Sequence, residues 1–231
     1  MPPTDVDVRD LEGPAEWNGA VRLYREVFGY RDPTWGINPR LLAALRDNAG
    51  TAIGAFRGGE LIGFCYGFTA VDAGGIYHYS QAAAVAPAAQ GSGVGRLLKH
   101  AQAERARATG ARSLRWVFDP YALRNAHFNL TTLGAHGLRF LPDYYGEPGT
   151  DRVLISWDLA GGAPHRPGPS VVVAAGETYA AERPAERSWL RRELLERFAE
   201  GGRLVAVTRS PDLPGSVTYR FGRCEADARR M

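Results

Sequence analysis

Gln90-Gly91-Ser92-Gly93-Val94-Gly95-Arg96 places three glycines at alternate positions, between an alanine-rich run ending at Pro87 and an apolar helical pattern. Glycine has no Cβ, so such a segment can turn tightly and bring its N–H groups close to a ligand. The helix that follows presents unpaired N–H groups and the positive end of its dipole, which suits a phosphate. Three phosphate or nucleophile loops can be tested against the spacing. A dinucleotide loop, Gly-x-Gly-x-x-Gly, needs its third glycine one residue later. It also needs an acidic residue near the next strand, whereas Ser113–Phe118 is preceded by Arg112. A Walker loop needs Gly-Lys-Ser/Thr, and Gly95 is followed by Arg96-Leu97. A nucleophile elbow, Gly-x-Ser-x-Gly, fails at both Gln90 and Val94.

What remains, Gln90-x-x-Gly93-x-Gly95 after a strand-ending Pro87, resembles the acyl-CoA pyrophosphate loop of the GCN5-related N-acetyltransferase (GNAT) superfamily. The resemblance implies acetyl-CoA or another acyl-CoA as co-substrate, no metal, and direct attack by an amine on the thioester in a ternary complex. It assigns the pyrophosphate to Gln90, Gly91, Ser92, Gly93, Val94, Gly95 and Arg96. Backbone groups of Ala84, Val85 and Ala86 are expected along the pantetheine arm, one N–H serving as oxyanion donor; a packed strand under a helix is the alternative for this run. Asn125, early in a later helix, is expected against pantetheine or as a cap. The family's usual acid, a tyrosine three to four residues before the helix-ending glycine, is missing: that register before Gly134 holds Leu130 and Thr131. Tyr145, Tyr144 or Tyr121 is the substitute, or the thiolate leaves unaided, its thiol pKa being about 8.5.

His78 is the first choice of general base, since an unperturbed imidazole titrates near neutrality; a structural histidine is the alternative. His127 is the weaker candidate. An amino-acid acceptor needs a cation for its carboxylate, and Arg124 leads Arg139 and Arg152, each of which also fits a surface ion pair. Trp35, between the first two helical patterns, is expected to line the acceptor cleft.

Hydrophobic periodicity supplies the elements that must position these groups. Val6, Val8 and Leu11 alternate as a strand. Trp17 to Phe28 recur at helical spacing and stop at Gly29. Asn38-Pro39 starts a second helix. Thr51–Arg57 and Glu60–Val71 form a hairpin over Gly58-Gly59. Strands or helices then follow at Ile76–Ala86, Gly95–Ala108, Arg112–Phe118, Leu123–Leu133, His136–Leu141 and Arg152–Leu159. The order β-α-α-β-β-β-α-β-α-β-β is that of the GNAT fold, an α/β (α+β) class with a mixed central sheet and flanking helices. The resemblance spans about Val6 to Leu159, within a domain of residues 1–160. Phe118-Asp119-Pro120, Arg124–Asn129, Leu133-Gly134-Ala135, Tyr144-Tyr145-Gly146 and Thr150-Asp151-Arg152…Trp157 resemble a little-characterised subfamily of predicted acyltransferases with a C-terminal extension. Some of its members sit near enolase-type racemases acting on N-succinylamino acids, which implies amino-acid acylation and succinyl-CoA as a second donor.

Residues 161–169 read as a Pro/Gly linker, and 170–231 as a small αβ appendage. Its strands are placed at Ser170–Ala175, Leu204–Arg209 and Ser216–Phe221, its helix at Pro184–Glu200, with Trp189, Leu190, Leu194, Leu195 and Phe198 on one face. The tail, Glu225–Met231, is expected to fray. At 231 residues, 45% hydrophobic and 23% charged, the chain has an ordinary globular composition. A formal charge of +3, spread along the chain, gives no nucleic-acid footprint. No apolar run reaches the roughly 18 residues of a membrane span. The N-terminal segment lacks a signal-peptide pattern, so a cytoplasmic location is expected. Cys65 and Cys224 are too few and too far apart for a disulfide framework or metal site. The expected partner is a small-molecule amine, and relatives of the resemblance commonly self-pair as homodimers. The competing readings are a CoA-binding or sensing module without turnover, and a subunit of a larger assembly.

Overall fold

A glycine pair with left-handed backbone anchors the first half of the structure. Gly58 and Gly59, at φ 56° and 84°, close the hairpin between β2 (Thr51–Arg57) and β3 (Glu60–Asp72). Positive φ at both central positions matches the twist of the flanking strands. The computed structural model describes residues 3, 5–161, 166–173, 184–209 and 217–223. Seven strands are hydrogen-bonded in the order β1-β2-β3-β4-β5-β7-β6, and three more in the order β8-β10-β9. By contacts the chain divides into two compact units, Met1–Leu114 and Arg115–Met231.

In the first unit, β1 (Val6–Asp10), β2, β3 and β4 (Gly75–Val85) form an antiparallel meander. Helix α1 (Gly13–Phe28) stops at Gly29, whose φ of 68° supplies the left-handed cap. Helix α2 (Pro39–Asp47) starts as its sequence indicates, the Asn38 side chain accepting from Arg40 N at 2.9 Å. One core cluster joins Ala20, Leu23 and Leu42 of α1 and α2 to Phe56, Phe64 and Ala84. A second joins Ile53, Ala55 and Cys65 to Val94 and Leu98 of α3 (Val94–Ala108). With both faces covered, β2 is buried over six consecutive residues rather than alternating.

A bulge in β4 sets which side chains face which layer. Tyr66 pairs with Ala82 and Gly67 with Ser80, so Gln81 is the extra residue. Before it, His78 and Ser80 reach the α3 layer, where Ser80 accepts from Lys99. After it, Ala82 and Ala84 join the cluster under α1 and α2. One inserted residue reverses the parity of the strand. Gly67 is required opposite it, because a Cβ there would collide with the Tyr79 carbonyl.

In the second unit, which takes in β5 (Ser113–Phe118) from Arg115 on, come β6 (His136–Leu141), β7 (Arg152–Asp158) and α4 (Leu123–Ala126), which continues as a π-helix over His127–Thr132. The spacing suggested one uniform helix; the wider π turn instead buries both Asn129 and Leu130. The appendage is β8 (Arg166–Val173), α5 (Pro184–Ala199), β9 (Arg203–Arg209) and β10 (Val217–Arg223). β8 begins inside the stretch expected to be linker. It lies at the sheet edge, where prolines are tolerated. On α5, Leu190 and Leu194 are buried while Leu195 is exposed, so the apolar face is narrower than expected. The positions Gly162–His165, Cys224 and the expected tail Glu225–Met231 lie outside the described residues. Among the described residues no helix is long and apolar enough to cross a membrane.

A buried carboxylate organises this unit. Asp151, 1% exposed, accepts from Tyr121 Oη at 2.7 Å and from Asp143 N at 3.0 Å. Arg191 of α5 lies 3.1 Å from the same carboxylate, with its other end 2.7 Å from Asp143. Asp151→Asn would set an amide donor against these donors, at a cost of about 2–4 kcal/mol. A thermal melt of the variant is expected to shift down by roughly 5–10 °C; an unchanged melt would show that this carboxylate is not what ties the unit together.

Candidate functional site

The left-handed glycines turn the chain from β4 into α3. After a short 3-10 turn (Pro87–Ala89), Gln90 is extended, and Gly91 and Gly93 take φ of 78° and 93°, values L side chains rarely adopt. Gly93 is the N-cap of α3, and its carbonyl receives Arg96 N at 3.0 Å and Leu97 N at 3.1 Å. Val94 and Gly95 therefore keep N–H groups without an intrahelical acceptor. Gly91, Ser92, Gly93 and Arg96 are exposed, and no acidic residue lies in the first turn of α3. The Ser92 hydroxyl donates to Ala89 O at 2.7 Å and so braces the loop. This surface fits a pyrophosphate: close backbone approach, free donors, a helix N-terminus and one guanidinium.

The β4 end of the segment contributes main-chain edges. Ala86 N donates to Ile62 O at 2.9 Å, which directs Ala86 toward β3. The carbonyl of Val85 instead accepts from the Gln90 side chain at 3.1 Å. The N–H and C=O of one strand residue share an edge, so Val85 N–H faces away from β3. Of the three expected pantetheine positions, Ala86 N–H is thus taken, and Val85 N–H points to the edge of β4 away from β3. Gln90 holds that edge rather than offering its own side chain.

His78 is fully buried, with both ring nitrogens engaged. Nε2 lies 3.0 Å from Thr51 Oγ1 and Nδ1 3.3 Å from Thr69 Oγ1. Thr69 donates to Ala49 O, so it must accept from Nδ1–H. Gln102 Nε2 donates to Thr51 Oγ1 at 3.0 Å, leaving the Thr51 proton for Nε2. One relay, Gln102→Thr51→His78→Thr69→Ala49, thus fixes the tautomer and ties β2, β3, β4 and α3 together. Burial first, and the Lys99 charge second, push the imidazole down to about 4. The ring is neutral near pH 7 and offers no lone pair to a substrate, unlike the base expected from sequence. Lys99, the only lysine, donates to Ser80 Oγ at 2.7 Å in the same layer, and burial lowers it to about 8. Burial raises the Cys65 thiol to about 12, which leaves it unreactive.

Trp35 is 58% exposed and packs edge-on against Tyr30, which stacks on Phe28; both contact Tyr24. Tyr66 is buried beside Tyr30, and burial raises its phenol to about 12. Only Trp35 of this aromatic ridge was singled out from sequence. The helical spacing of Tyr24 and Phe28 was a further signal, but it reads equally as core. In the second unit, Asn125 Oδ1 accepts from Asn129 Nδ2 at 3.1 Å, and Asn129 Oδ1 from Trp116 Nε1 at 3.2 Å. Tyr145 is 57% exposed, edge-on to Tyr144 and 5.0 Å beneath Arg152. Of the acid register before Gly134, Leu130 is buried in the core and Thr131 is exposed, its hydroxyl donating to Val207 O. Arg124 and His127 are exposed on α4 and its π-helical extension, and Arg139 is exposed on β6. Among the described residues no cluster of three or more His, Cys, Asp or Glu could hold a metal.

Known proteins share this fold. Residues 17–128 match the model of the acetyltransferase (GNAT) family. A GNAT-family structure from Desulfovibrio desulfuricans is 22% identical, over 67% of this chain and 99% of its own, with a TM-score of 0.56. A GCN5-related N-acetyltransferase from Kribbella flavida is 18% identical over 67% of this chain and 98% of its own, at 0.53. The ribosomal-protein-S18-alanine N-acetyltransferase from Escherichia coli is 15% identical over 68% and 96%, at 0.52. At these identities the likeness is one of fold. No curated protein sequence matches the chain significantly. The family match runs from α1 through β2, β3 and β4, the glycine loop, α3 and β5, so residues 17–128 form a domain of the acetyltransferase (GNAT) family, whose members are acyl-CoA-dependent N-acyltransferases.

Proposed function

We propose that the chain moves an acetyl or succinyl group from CoA to the amine of a small molecule, an amino acid being the leading class. The observation that carries this reading is the continuity of Val85 to Arg96: a main-chain N–H turned away from β3, two left-handed glycines and a helix N-terminus in one segment. Backbone N–H groups of Gly91 to Gly95 and the Arg96 guanidinium hold the pyrophosphate. The acyl-CoA supplies a thioester whose C–S bond breaks as the amine nitrogen bonds to the acyl carbon. Val85 N–H donates to the carbonyl oxygen, where negative charge develops. With His78 fully engaged, the amine gives up its proton to solvent rather than to the imidazole. Tyr145 is kept as the acid for the departing sulfur, and Tyr145→Phe tests it. A thiol of pKa about 8.5 also leaves tolerably unaided.

On the acceptor side, the ridge of Phe28, Tyr30 and Trp35 suits an apolar or aromatic amine. Trp35→Ala is expected to raise KM for the amine about tenfold while CoA affinity stays within about twofold. Equal KM values would remove Trp35 from the acceptor site.

Calorimetric titration with CoA, acetyl-CoA and succinyl-CoA tests the donor, followed by free-thiol release over an amino-acid and amine panel. Micromolar binding and turnover support the transferase. Binding without turnover favours the rival reading, a CoA-sensing module, which the buried Leu130 and the engaged His78 motivate. No binding overturns both.

A further inference from the structure

A phenol without a hydrogen bond stands in the core of the first unit. Tyr66 of β3 is 7% exposed and stacks on Phe64, the ring centroids 6.4 Å apart and the planes 7° from parallel. Its hydroxyl makes no hydrogen bond among the described residues. A buried tyrosine normally finds a partner for its O–H. Tyr121 and Tyr219 do so, donating over 2.7 Å to Asp151 Oδ2 and to Pro120 O. The Tyr66 oxygen is not sealed from solvent, unlike the unpartnered Gln102 Oε1 under α3, so a ligand can reach it. Tyr30 stands beside it, and the Tyr30 hydroxyl likewise has no hydrogen bond among the described residues.

The bulge at Gln81 leaves room next to this ring. Tyr66 pairs with Ala82 and Phe64 with Ala84, and both alanines join the cluster under α1 and α2. Unbroken alternation would set Gln81 and Ala83 on that face; the bulge sets methyl groups there instead. From Phe64 the rings run on through Tyr24 and Tyr30 to Trp35, with successive centroids 6.4, 5.4 and 5.5 Å apart. Two unpartnered phenols thus adjoin an aromatic ridge that opens at Trp35. We infer that Tyr66, with Tyr30 beside it, is the hydrogen-bond donor of the acceptor site: it holds a carboxylate or carbonyl oxygen of the amine substrate, whose apolar body lies along the ridge. This rests on the acyl-transfer reading and narrows its acceptor to an amine that carries such an oxygen, as an amino acid or its amide does. Burial first, and the Tyr30 phenol second, push Tyr66 up to about 12, so its O–H stays in place to donate.

Thiol-release rates of the full chain with phenylalanine, phenylalanine amide and phenethylamine at saturating acyl-CoA test it. The three share a ring and an amine and differ in a carboxylate, a carbonyl or no oxygen. At least one oxygen-bearing amine is expected to exceed phenethylamine about tenfold or more in kcat/KM, because the analogue leaves the donor unpaired. Tyr66→Phe should remove most of that preference and Tyr30→Phe a smaller share. Preference for phenylalanine identifies a carboxylate contact, and preference for the amide a carbonyl contact. Tyr66→Phe should melt within about 2 °C of wild type, since no hydrogen bond within the protein is lost. Calorimetry of the same amines on CoA-saturated protein reads the contact without turnover. Selective binding that Tyr66→Phe abolishes, with no thiol released, would keep the site and overturn the transferase reading. Equal rates and affinities for the three amines, an equal loss on all three in Tyr66→Phe, a melt lowered by more, or binding of none would each overturn the inference, while the CoA titration judges the donor side separately.

Discussion

Gly93→Glu lowers CoA affinity by at least about a hundredfold, as read by calorimetry on folded protein. Two effects act at this position, and their sizes differ. The backbone sits at φ 93°, so any L side chain carries strain of roughly 1–2 kcal/mol, which falls on stability. The glutamate also sets a negative charge against the pyrophosphate at the helix N-terminus. Like charges about 4 Å apart near a surface repel by up to about 4 kcal/mol, against the 2.7 kcal/mol or so that a hundredfold loss represents. Repulsion therefore dominates over strain. Gly93→Ala separates the two, since it keeps the strain without the charge: it should melt lower but lose no more than about tenfold in affinity. Wild-type affinity in the glutamate variant would remove the loop from the pyrophosphate site.

His78→Ala destabilises the fold by about 2–4 kcal/mol and leaves turnover per folded molecule within about threefold. The substitution opens a cavity and strands the buried Thr51 hydroxyl without its acceptor and the half-buried Thr69 hydroxyl without its donor. Removal of a general base would instead cost 10²- to 10⁴-fold, roughly, in turnover. Urea melts and thiol-release rates on the same preparation distinguish the two. A loss of a hundredfold or more in rate, with stability intact, would restore His78 as the base.

The pH dependence gives an independent reading of the same group. The imidazole is held at about 4 in the folded chain, below its ordinary 6.5, so the unfolded chain binds the extra proton between those values. Stability is then fully present above about 6.5 and is lost as pH falls toward 4, by at most about 3 kcal/mol. The alanine variant should lose this acid-side slope. Lys99, lowered from 10.5 to about 8, has the same sense: the unfolded chain is more protonated between these values, so stability rises with pH across that window. A wild-type curve flat from 4 to 6.5 would show that His78 is not buried as a neutral strut.

What was legible in the sequence is what depends on neighbours along the chain. The glycine loop could be assigned from Gln90 to Arg96 alone, because left-handed backbone at Gly91 and Gly93 and a helix starting at Val94 are local consequences of residue type. The Asn38-Pro39 start of α2 and the Gly58-Gly59 hairpin were legible for the same reason. So was the order of elements through Arg152–Asp158, since strand and helix periods are set by burial of one face or stripe.

The sequence determined the backbone of the glycine loop and the element order; the tertiary structure decided what each polar side chain does. His78 looks like a base wherever alternation is assumed unbroken. Its fate was fixed by two partners, 27 and 9 residues away, and by α3, through contacts that no local pattern encodes. The bulge at Gln81 reverses the faces of β4 because one unpaired residue shifts a period of two, and only the pairing of Tyr66 and Gly67 reveals it. Likewise the π turn after α4 buries Leu130, and β9 and β10 meet α4 from more than 80 residues downstream. Residue type sets local backbone preference, whereas burial, charge and free lone pairs belong to the neighbours that folding brings together.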